Sequence, residues 1–396
     1  MKAKFKNMLL IVIILFLIGC NNQQTKENTY SAEIEERINR TINLLHSDFS
    51  TSVSSLKTNN LIERMEELKI PGVSITVINN HQLEWTKGYG VAEANTKNKV
   101  STNTVFQAAS ISKPFTAVAA LKFVESNIFS LDTNVNEYLK TWKIEDNEFT
   151  KKHIVTLRQL LSHTSGLNIP GFEGYPNGVE LPSLRQILSG EKLANSEAIM
   201  VTKVPGSTWS YSGGGYCVIQ KLLEDQSGKK FDQLIDSLII SPLKLQNSSF
   251  QQPIAEDEFD DIASGHLEDG SVINGKWYNY PEAAAAGLWT TSEDLAKYAI
   301  ELTNSESRII SDTLRRYLFT PESGSFTLGL LVRGKDRNRW FTYNGGNKGY
   351  RCLLYCYIEK GQGAVVMSNS ENGLELANEI INAVALEYKW PDFKPE

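Results

Sequence analysis

The chain has 396 residues, of which 41% are hydrophobic and 22% are charged, with a formal net charge of −6. The length is enough for one large domain or two smaller ones, and the balance is typical of globular proteins. We expect no nucleic-acid partner, because the net charge is negative and the chain has no basic cluster. We expect no cofactor and no metal, because the phosphate-binding, dinucleotide-binding and His-Glu-x-x-His motifs are absent from the sequence.

The first 19 residues are predicted to be a signal peptide. Three lysines precede an apolar run of eleven residues, Met8 to Ile18, which is shorter than the ~20 residues of a membrane span. Leu17-Ile18-Gly19-Cys20 resembles the lipobox of bacterial lipoproteins. That resemblance implies a lipid on Cys20 and a place on the extracytoplasmic face of the cell membrane. A plain secretory signal is the alternative.

Residues 20–60 are predicted to be a tether with one helix, Ser31 to His46, outside the core, because isoleucines recur there at helical spacing. The main domain is assigned to residues 61–396. It begins with a predicted helix, Leu61 to Lys69, and two predicted strands, Val73 to Ile78 and Leu83 to Val91.

Ser110-Ile111-Ser112-Lys113 opens an apolar segment that predicts a buried helix from Ser110 to Glu125. Residues three apart share a helix face, so Ser110 and Lys113 point the same way. A serine hydroxyl becomes a nucleophile when a base removes its proton, and a buried lysine amine is such a base. Four other Ser-x-x-Lys matches lie in polar surroundings, where an amine keeps its charge: Ser54/Lys57, Ser189/Lys192, Ser227/Lys230 and Ser241/Lys244.

The middle of the chain is predicted to be an all-helical lobe, approximately 126–265, and the end to be strands followed by a helix. The predicted lobe helices are Thr156 to Leu161, Leu184 to Leu188, Cys217 to Glu224 and Phe231 to Ile239. The predicted strands are Phe326 to Arg333, Trp340 to Tyr343, Tyr350 to Ile358 and Gly363 to Ser368, before a helix at Leu374 to Tyr388. Strands at both ends predict an α+β fold: one antiparallel β-sheet flanked by helices, with the lobe inserted.

Three cysteines of the domain are expected to be free core thiols. Cys352 and Cys356 lie four apart on one predicted strand, and at ~3.3 Å per residue they are too distant for a disulfide. Cys20 belongs to the predicted signal segment, which leaves an odd number of cysteines, so small buried core residues are the preferred interpretation for all three.

Two glycine-rich stretches complete the candidate site. Ser210 to Tyr216 is predicted to be a loop before a helix, and a tyrosine held near a lysine can relay protons. Asn344 to Gly349 joins two predicted strands, where glycine lets the backbone come close to a substrate. An ordinary turn is the alternative for each stretch.

Taken together, these features resemble the serine β-lactamase and penicillin-binding-protein superfamily, specifically its class C-related hydrolase and esterase branch. The resemblance covers roughly residues 61–390. It rests on Ile70-Pro71-Gly72-Val73, Phe106-Gln107-Ala108-Ala109-Ser110-Ile111-Ser112-Lys113-Pro114, Leu160-Leu161-Ser162-His163-Thr164-Ser165-Gly166-Leu167, Pro205-Gly206-Ser207-x-Trp209-x-Tyr211-Ser212, Pro242-Leu243 and Ala286-Gly287-Leu288-Trp289-Thr290-Thr291-x-x-Asp294-Leu295.

The resemblance implies a role for each matching residue. Ser110 would be the acylated nucleophile, Lys113 its proton acceptor and Tyr211 the shared acid and base. The oxyanion hole would use the backbone N–H groups of Ser110 and Asn347. The residues expected to bind substrate are Gly213, Asn344 and Gly346. Tyr175-Pro176-Asn177 also fits the family's Tyr-x-Asn pattern, but it lacks the surrounding context, so Tyr211 is preferred.

The chain departs from the family pattern at two positions. Gly213 stands where the second motif usually has asparagine, and Asn344 stands where the third usually has lysine or histidine. The missing cation argues against efficient β-lactam hydrolysis and D-alanyl peptide recognition. Lys348 or Arg351 could replace that charge, although solvated loop cations are the preferred interpretation. His163 belongs to a loop that the family keeps for structure.

The sequence therefore predicts an exported, membrane-tethered serine hydrolase that cleaves an ester or amide through an acyl-enzyme on Ser110. An esterase, a D-amino-acid peptidase and a weak β-lactamase all fit, with a small-molecule or cell-wall substrate, and the oligomeric state stays open. The alternative is a catalytically impaired wall-binding or β-lactam-sensing lipoprotein. A Ser-His-Asp hydrolase is disfavoured, because the chain has no Gly-x-Ser-x-Gly motif.

Overall fold

The structure is a computed structural model that describes residues 29–46, 58–255 and 257–393. The predicted signal peptide with Cys20 and the Ser54/Lys57 pair lie outside these residues. Within the described ranges, none of the helices combines the length and the apolar character needed to span a bilayer.

The strands and helices follow one another along the whole described chain. The strands are β1 Leu45–His46, β2 Thr58–Asn59, β3 Gly72–Asn79, β4 Gln82–Gly90, β5 Phe106–Ala109, β6 Tyr175–Pro176, β7 Tyr278–Asn279, β8 Leu288–Thr290, β9 Leu331–Arg333, β10 Trp340–Asn347, β11 Tyr350–Tyr357 and β12 Gly363–Ser368. The helices are α1 Ala32–Ile42, α2 Leu61–Glu67, α3 Ser112–Glu125, α4 Leu157–Leu161, α5 Leu184–Ser189, α6 Gly213–Ser227, α7 Phe231–Ile235, α8 Ser241–Leu243, α9 Ala283–Ala286, α10 Ser292–Thr303, α11 Asp312–Phe319 and α12 Gly373–Glu387.

The main sheet is built from both ends of the chain, as predicted. Its six strands lie in the order β4-β3-β12-β11-β10-β9, and every neighbouring pair is antiparallel. Because side chains alternate between the two faces, each face needs its own cover. The helices α1 and α12 cover one face, while α10 and the helical lobe cover the other. The expectation that the N-terminal helix lies outside the core was wrong, because its Ile38 is buried in the core on that face. The predicted α+β fold is confirmed.

Helix α3 is surrounded by other helices, chiefly α6, α9 and α11. Its residues are apolar on all sides, and a helix of that kind is stable only when it is fully surrounded. Phe115 stacks on Tyr298 of α10 with ring centroids 3.8 Å apart. Pro114 occupies the first turn, where a missing backbone N–H costs no hydrogen bond.

Three predicted boundaries change in the structure. Only Leu331–Arg333 of the predicted strand Phe326 to Arg333 joins the sheet, because Phe326 pairs locally with Ser323 in a turn. The helix expected from Ser110 begins two residues later. The predicted glycine-rich loop is partly helical, because Gly213–Ser227 forms α6.

Candidate active site

Ser110 lies at the junction between β5 and α3, on a turn that other side chains hold in place. Ala109, the last residue of β5, has φ +50°, a left-handed conformation that costs an L-residue about 1–2 kcal/mol. The Ser112 hydroxyl donates to the Ala109 carbonyl oxygen at 2.6 Å and accepts the Leu288 N–H at 2.9 Å. Strain of this kind persists where the surroundings determine the conformation, as at a positioned nucleophile.

Lys113 is buried and its amine lies against Ser110. Its side chain is on α3, its residue is only 2% exposed, and Nζ is 3.1 Å from Ser110 Oγ. Nζ also donates to the carbonyl oxygen of Ala285 at 2.7 Å. The described lysines of the other Ser-x-x-Lys matches, Lys192, Lys230 and Lys244, are exposed.

Tyr211 completes a three-residue cluster with Ser110 and Lys113. Nζ of Lys113 lies 5.0 Å from the centroid of the Tyr211 ring. Burial raises the pKa of the Tyr211 hydroxyl, but the charge of Lys113 and the hydrogen-bonding neighbours Ser110, Tyr343 and Lys113 outweigh it, so that pKa is lowered. The structure thus brings together all three residues that the sequence predicts to be catalytic.

The segment that carries Tyr211 is fixed by the start of α6. Ser212 caps this helix, because its hydroxyl accepts the Gly215 N–H at 2.9 Å and donates to the Asn168 carbonyl oxygen at 2.8 Å. The helix therefore begins two residues after Tyr211, whose ring lies beside the Lys113 amine.

His163 packs against this segment and hydrogen-bonds to it. Its Nδ1 accepts the Ser212 N–H at 3.2 Å, and its ring centroid is 4.3 Å from that of Tyr211. Burial and the charge of Lys113 lower the pKa of His163 to about 3, although the hydrogen bond from Ser212 opposes the shift. The imidazole is consequently neutral at physiological pH and has the geometry of a positioning group.

Tyr343 is a site residue that the sequence analysis missed. Its hydroxyl lies 3.5 Å from the hydroxyl of Tyr211. Burial and the neighbouring Tyr211 raise the pKa of Tyr343 well above its usual value, so its phenol keeps its proton at neutral pH. Tyr343 thus faces Tyr211 from β10, the strand that carries the third motif. The sequence offered only its place directly before Asn344, which does not show which of the two residues faces Tyr211.

Gly345 lets β10 approach β5 closely. A Cβ atom at this position would lie 2.2 Å from the Ala108 carbonyl oxygen and 2.6 Å from Cys352 Sγ, so any side chain would force the surrounding atoms to shift. Cys352 Sγ itself lies 3.0 Å from that carbonyl oxygen. The glycine therefore brings the third motif against the strand that leads into Ser110, rather than against a substrate.

Asn344 is not brought to Ser110. Side chains alternate along β10, and Tyr343 and Gly345 both face the Tyr211 and β5 side of the sheet. Asn344 and Gly346 therefore belong to the other face, and both residues are exposed. The stretch expected to link two strands is itself the end of β10, with only Lys348 and Gly349 left in the turn.

The backbone of Asn347 is directed into the sheet. Asn347 pairs with Tyr350 across the two-residue turn, so its N–H and C=O point towards β11. The N–H of Gly346, one residue earlier, points to the opposite edge. The Asn347 side chain donates to Gln107 Oε1 at 2.7 Å and to the Ala286 carbonyl oxygen at 3.0 Å, which ties the hairpin to β5 and α9. This orientation removes Asn347 as the expected oxyanion donor and favours Gly346.

The remaining candidates lie apart from the Ser110 cluster. Tyr175, in the β6–β7 pair, accepts the Asn195 N–H at 3.1 Å, and burial raises its pKa to about 12. No contact between its hydroxyl and Lys113 occurs in the described part of the chain. The thiols of Cys217, Cys352 and Cys356 are free and buried.

Comparison with known proteins gives consistent results. Residues 58–389 match the family described as Beta-lactamase. Protein flp of Staphylococcus aureus (strain N315) is 26% identical over 333 residues, which cover 81% of this chain and 64% of that protein. Penicillin-binding protein 4* of Bacillus subtilis (strain 168) is 23% identical over 321 residues, covering 74% of this chain and 67% of the relative. The chain thus spans about two thirds of the length of these curated relatives.

Two solved structures share the fold. The octameric penicillin-binding protein homologue from Pyrococcus abyssi has a TM-score of 0.70 and 24% identity, covering 85% of this chain and 77% of its own. The D-amino acid amidase from Ochrobactrum anthropi SV3, complexed with L-phenylalanine amide, has a TM-score of 0.69 and 18% identity. The match covers 90% of this chain and 99% of the amidase chain.

Proposed function

Because this chain belongs to the beta-lactamase family, we propose that it is a serine hydrolase that cleaves an ester or amide through an acyl-enzyme on Ser110. The family supports a general hydrolase role. The observation that carries the finer proposal is the cluster itself: a buried amine 3.1 Å from Ser110 Oγ, with a phenol of lowered pKa beside it.

The proposed reaction begins when the Ser110 hydroxyl loses its proton to the Lys113 and Tyr211 pair. Ser110 Oγ then bonds to the substrate carbonyl carbon, and the carbonyl oxygen takes the negative charge. The N–H groups of Ser110 and Gly346 would hold this oxyanion, a contribution of about 2.7–4 kcal/mol for each donor. The proton passes through Tyr211 to the leaving alcohol or amine as its bond to carbon breaks. Water repeats the sequence on the acyl-enzyme and releases the acid.

A fluorophosphonate probe followed by intact-mass measurement tests the nucleophile. We expect one adduct on the wild type, none on Ser110→Ala and strongly slowed labelling of Lys113→Met and Tyr211→Phe. Lys244→Met, which removes the exposed lysine of another Ser-x-x-Lys match, is the matched control and should label at the wild-type rate. A wild-type protein that binds ligands without any adduct would favour the second candidate, a wall-binding or β-lactam-sensing protein. The absence of the family's asparagine at Gly213 motivates that candidate.

We further propose that the chain is exported and anchored to the extracytoplasmic face of the membrane through a lipid on Cys20. The support is the lipobox-like sequence Leu17-Ile18-Gly19-Cys20 after an apolar run. Metabolic labelling with a palmitate analogue should mark the wild type but not Cys20→Ser, and this variant should leave the membrane fraction. Equal labelling of both proteins would refute the anchor.

A further inference from the structure

The cations of the β10–β11 hairpin are both engaged away from Ser110. Lys348 Nζ forms an ion pair with Glu371 Oε1 at 3.0 Å. Arg351 donates from one guanidinium nitrogen to the carbonyl oxygens of Asn347 and Tyr350, each at 2.8 Å. Both hydrogen bonds hold the guanidinium at the tip of its own hairpin.

Arg351 also lies on the wrong face of the sheet to meet a substrate at Ser110. It is paired directly with Gly346 across the β10–β11 ladder, so the two residues share a face. A Cβ atom at Gly346 would lie 3.4 Å from the Arg351 guanidinium, which shows the same placement. Tyr343 and Gly345 occupy the opposite face, next to Tyr211 and β5. Where the third motif meets Tyr211, the chain therefore presents a neutral phenol.

An aromatic ring fills the space beside Gly213. A Cβ atom at this residue would lie 3.1 Å from Cε2 of Phe172 and 3.1 Å from the Pro170 carbonyl oxygen. These distances leave no room for an asparagine side chain unless Phe172 moves. Gly213 follows Tyr211 by two residues, and the half-buried Phe172 ring lies against the position where the family pattern would supply an amide.

We infer that this site takes uncharged esters or amides with an apolar or aromatic acyl group, and that it discriminates against substrates with a free carboxylate beside the scissile bond. The inference rests on the proposed function. A carboxylate that loses water without gaining a cation or hydrogen-bond donors is strongly disfavoured. An aromatic or aliphatic group against Phe172 gains from burial and ring contact instead.

The charge part is tested with two esters that have the same leaving group and similar acyl length: p-nitrophenyl butyrate and p-nitrophenyl hemisuccinate. We expect kcat/KM to be at least about tenfold higher for the neutral butyrate, which corresponds to ~1.4 kcal/mol. In Tyr343→Lys the added cation should shift this ratio towards the hemisuccinate by a similar factor. Asn344→Lys is the matched control: its cation lies on the other face, so the ratio should stay at the wild-type value.

The apolar part is tested with Phe172→Ala, which should lower kcat/KM for p-nitrophenyl phenylacetate several-fold more than for p-nitrophenyl acetate. A wild type that prefers the hemisuccinate, or is indifferent to charge, overturns the inference even if Tyr343→Lys fails to fold. An equal decrease of kcat/KM for p-nitrophenyl phenylacetate and p-nitrophenyl acetate in Phe172→Ala would likewise contradict it. Fluorophosphonate labelling of Ser110 distinguishes failure of this inference from failure of the proposed function. If Ser110 is labelled but the enzyme shows no charge preference, only the substrate class is refuted. If Ser110 is not labelled, the proposed hydrolase is refuted.

Discussion

Replacing Glu282 by glutamine should make the stability of the fold less dependent on pH. Glu282 directly precedes α9, it is fully buried, and neither carboxyl oxygen has a well-formed hydrogen bond in the described part of the chain. Burial raises the pKa of Glu282 to about 8, and its own backbone N–H and Tyr175 offset the shift only in part. The carboxyl is therefore mostly protonated in the native state at neutral pH.

The size of the effect follows from the difference between the folded and unfolded pKa values. The unfolded carboxyl titrates near 4.5, and the folded one at about 8, so the native state binds the proton more tightly. Stability is then highest below the unfolded pKa and falls as pH rises towards the folded pKa, by at most ~1.4 kcal/mol per pH unit. Integrated from pH 5 to pH 7, the loss is about 2–3 kcal/mol, and the stability falls further by pH 9.

Glutamine has the shape of the protonated acid but does not titrate. The free energy of unfolding of Glu282→Gln, minus that of the wild type, should therefore increase by about 2–3 kcal/mol between pH 5 and pH 7. Urea unfolding followed by tryptophan fluorescence measures this difference at each pH. Exposed Glu173→Gln serves as the control and should track the wild type throughout. A Glu282→Gln difference that does not change with pH would refute a buried, protonated carboxyl.

Three further predictions concern the hairpin and the far face of the sheet. Gly345→Ala places a methyl group 2.2 Å from a β5 carbonyl oxygen, so it should cost about 1–3 kcal/mol in urea unfolding and slow Ser110 labelling. Tyr343→Phe removes a hydrogen bond that lowers the pKa of Tyr211, so the acid limb of the kcat/KM profile should move to higher pH, and an unmoved limb would contradict the contact. Arg64→Met should destabilise the fold by about 3–5 kcal/mol, because it leaves Glu379 buried without its partner at 3.0 Å; a change below 1 kcal/mol would argue against the pair.

Local sequence patterns were enough to predict most of the architecture. Apolar spacing gave the strands at both ends and the helices between them, because burial on one face imposes a period that is visible along the chain. The Ser110 and Lys113 pair was equally accessible from their spacing of three. Ser110 lies on the turn before α3 and not on the helix, but the Lys113 N–H donates to the Ser110 carbonyl oxygen at 3.1 Å, which keeps the two residues together. The exact start of α3 was not, because it depends on the left-handed turn at Ala109.

The third motif shows where such reasoning fails. A shift of one residue along a strand moves a side chain to the opposite face, and no local pattern distinguishes Tyr343 from Asn344 as the residue that points inwards. The pairing of β10 with β11 and the close approach of Gly345 to β5 decide it. Phe172 was missed for a similar reason: it reaches Gly213 from a segment some forty residues earlier in the chain.

The same non-local contacts connect the chemistry to the stability of the fold. The hydrogen bonds of the Lys113 amine go to Ser110 and to the Ala285 carbonyl oxygen of α9. A buried amine with no carboxylate partner among the described residues depends on such dipoles, so a displacement of α9 would move the amine relative to Ser110 Oγ. Glu282 begins that helix and titrates just above neutral pH. Ionisation of Glu282 should therefore destabilise the fold and disturb the hydrogen bond between Lys113 and Ala285. Fluorophosphonate labelling of Ser110 should slow at alkaline pH in the wild type but stay fast in Glu282→Gln.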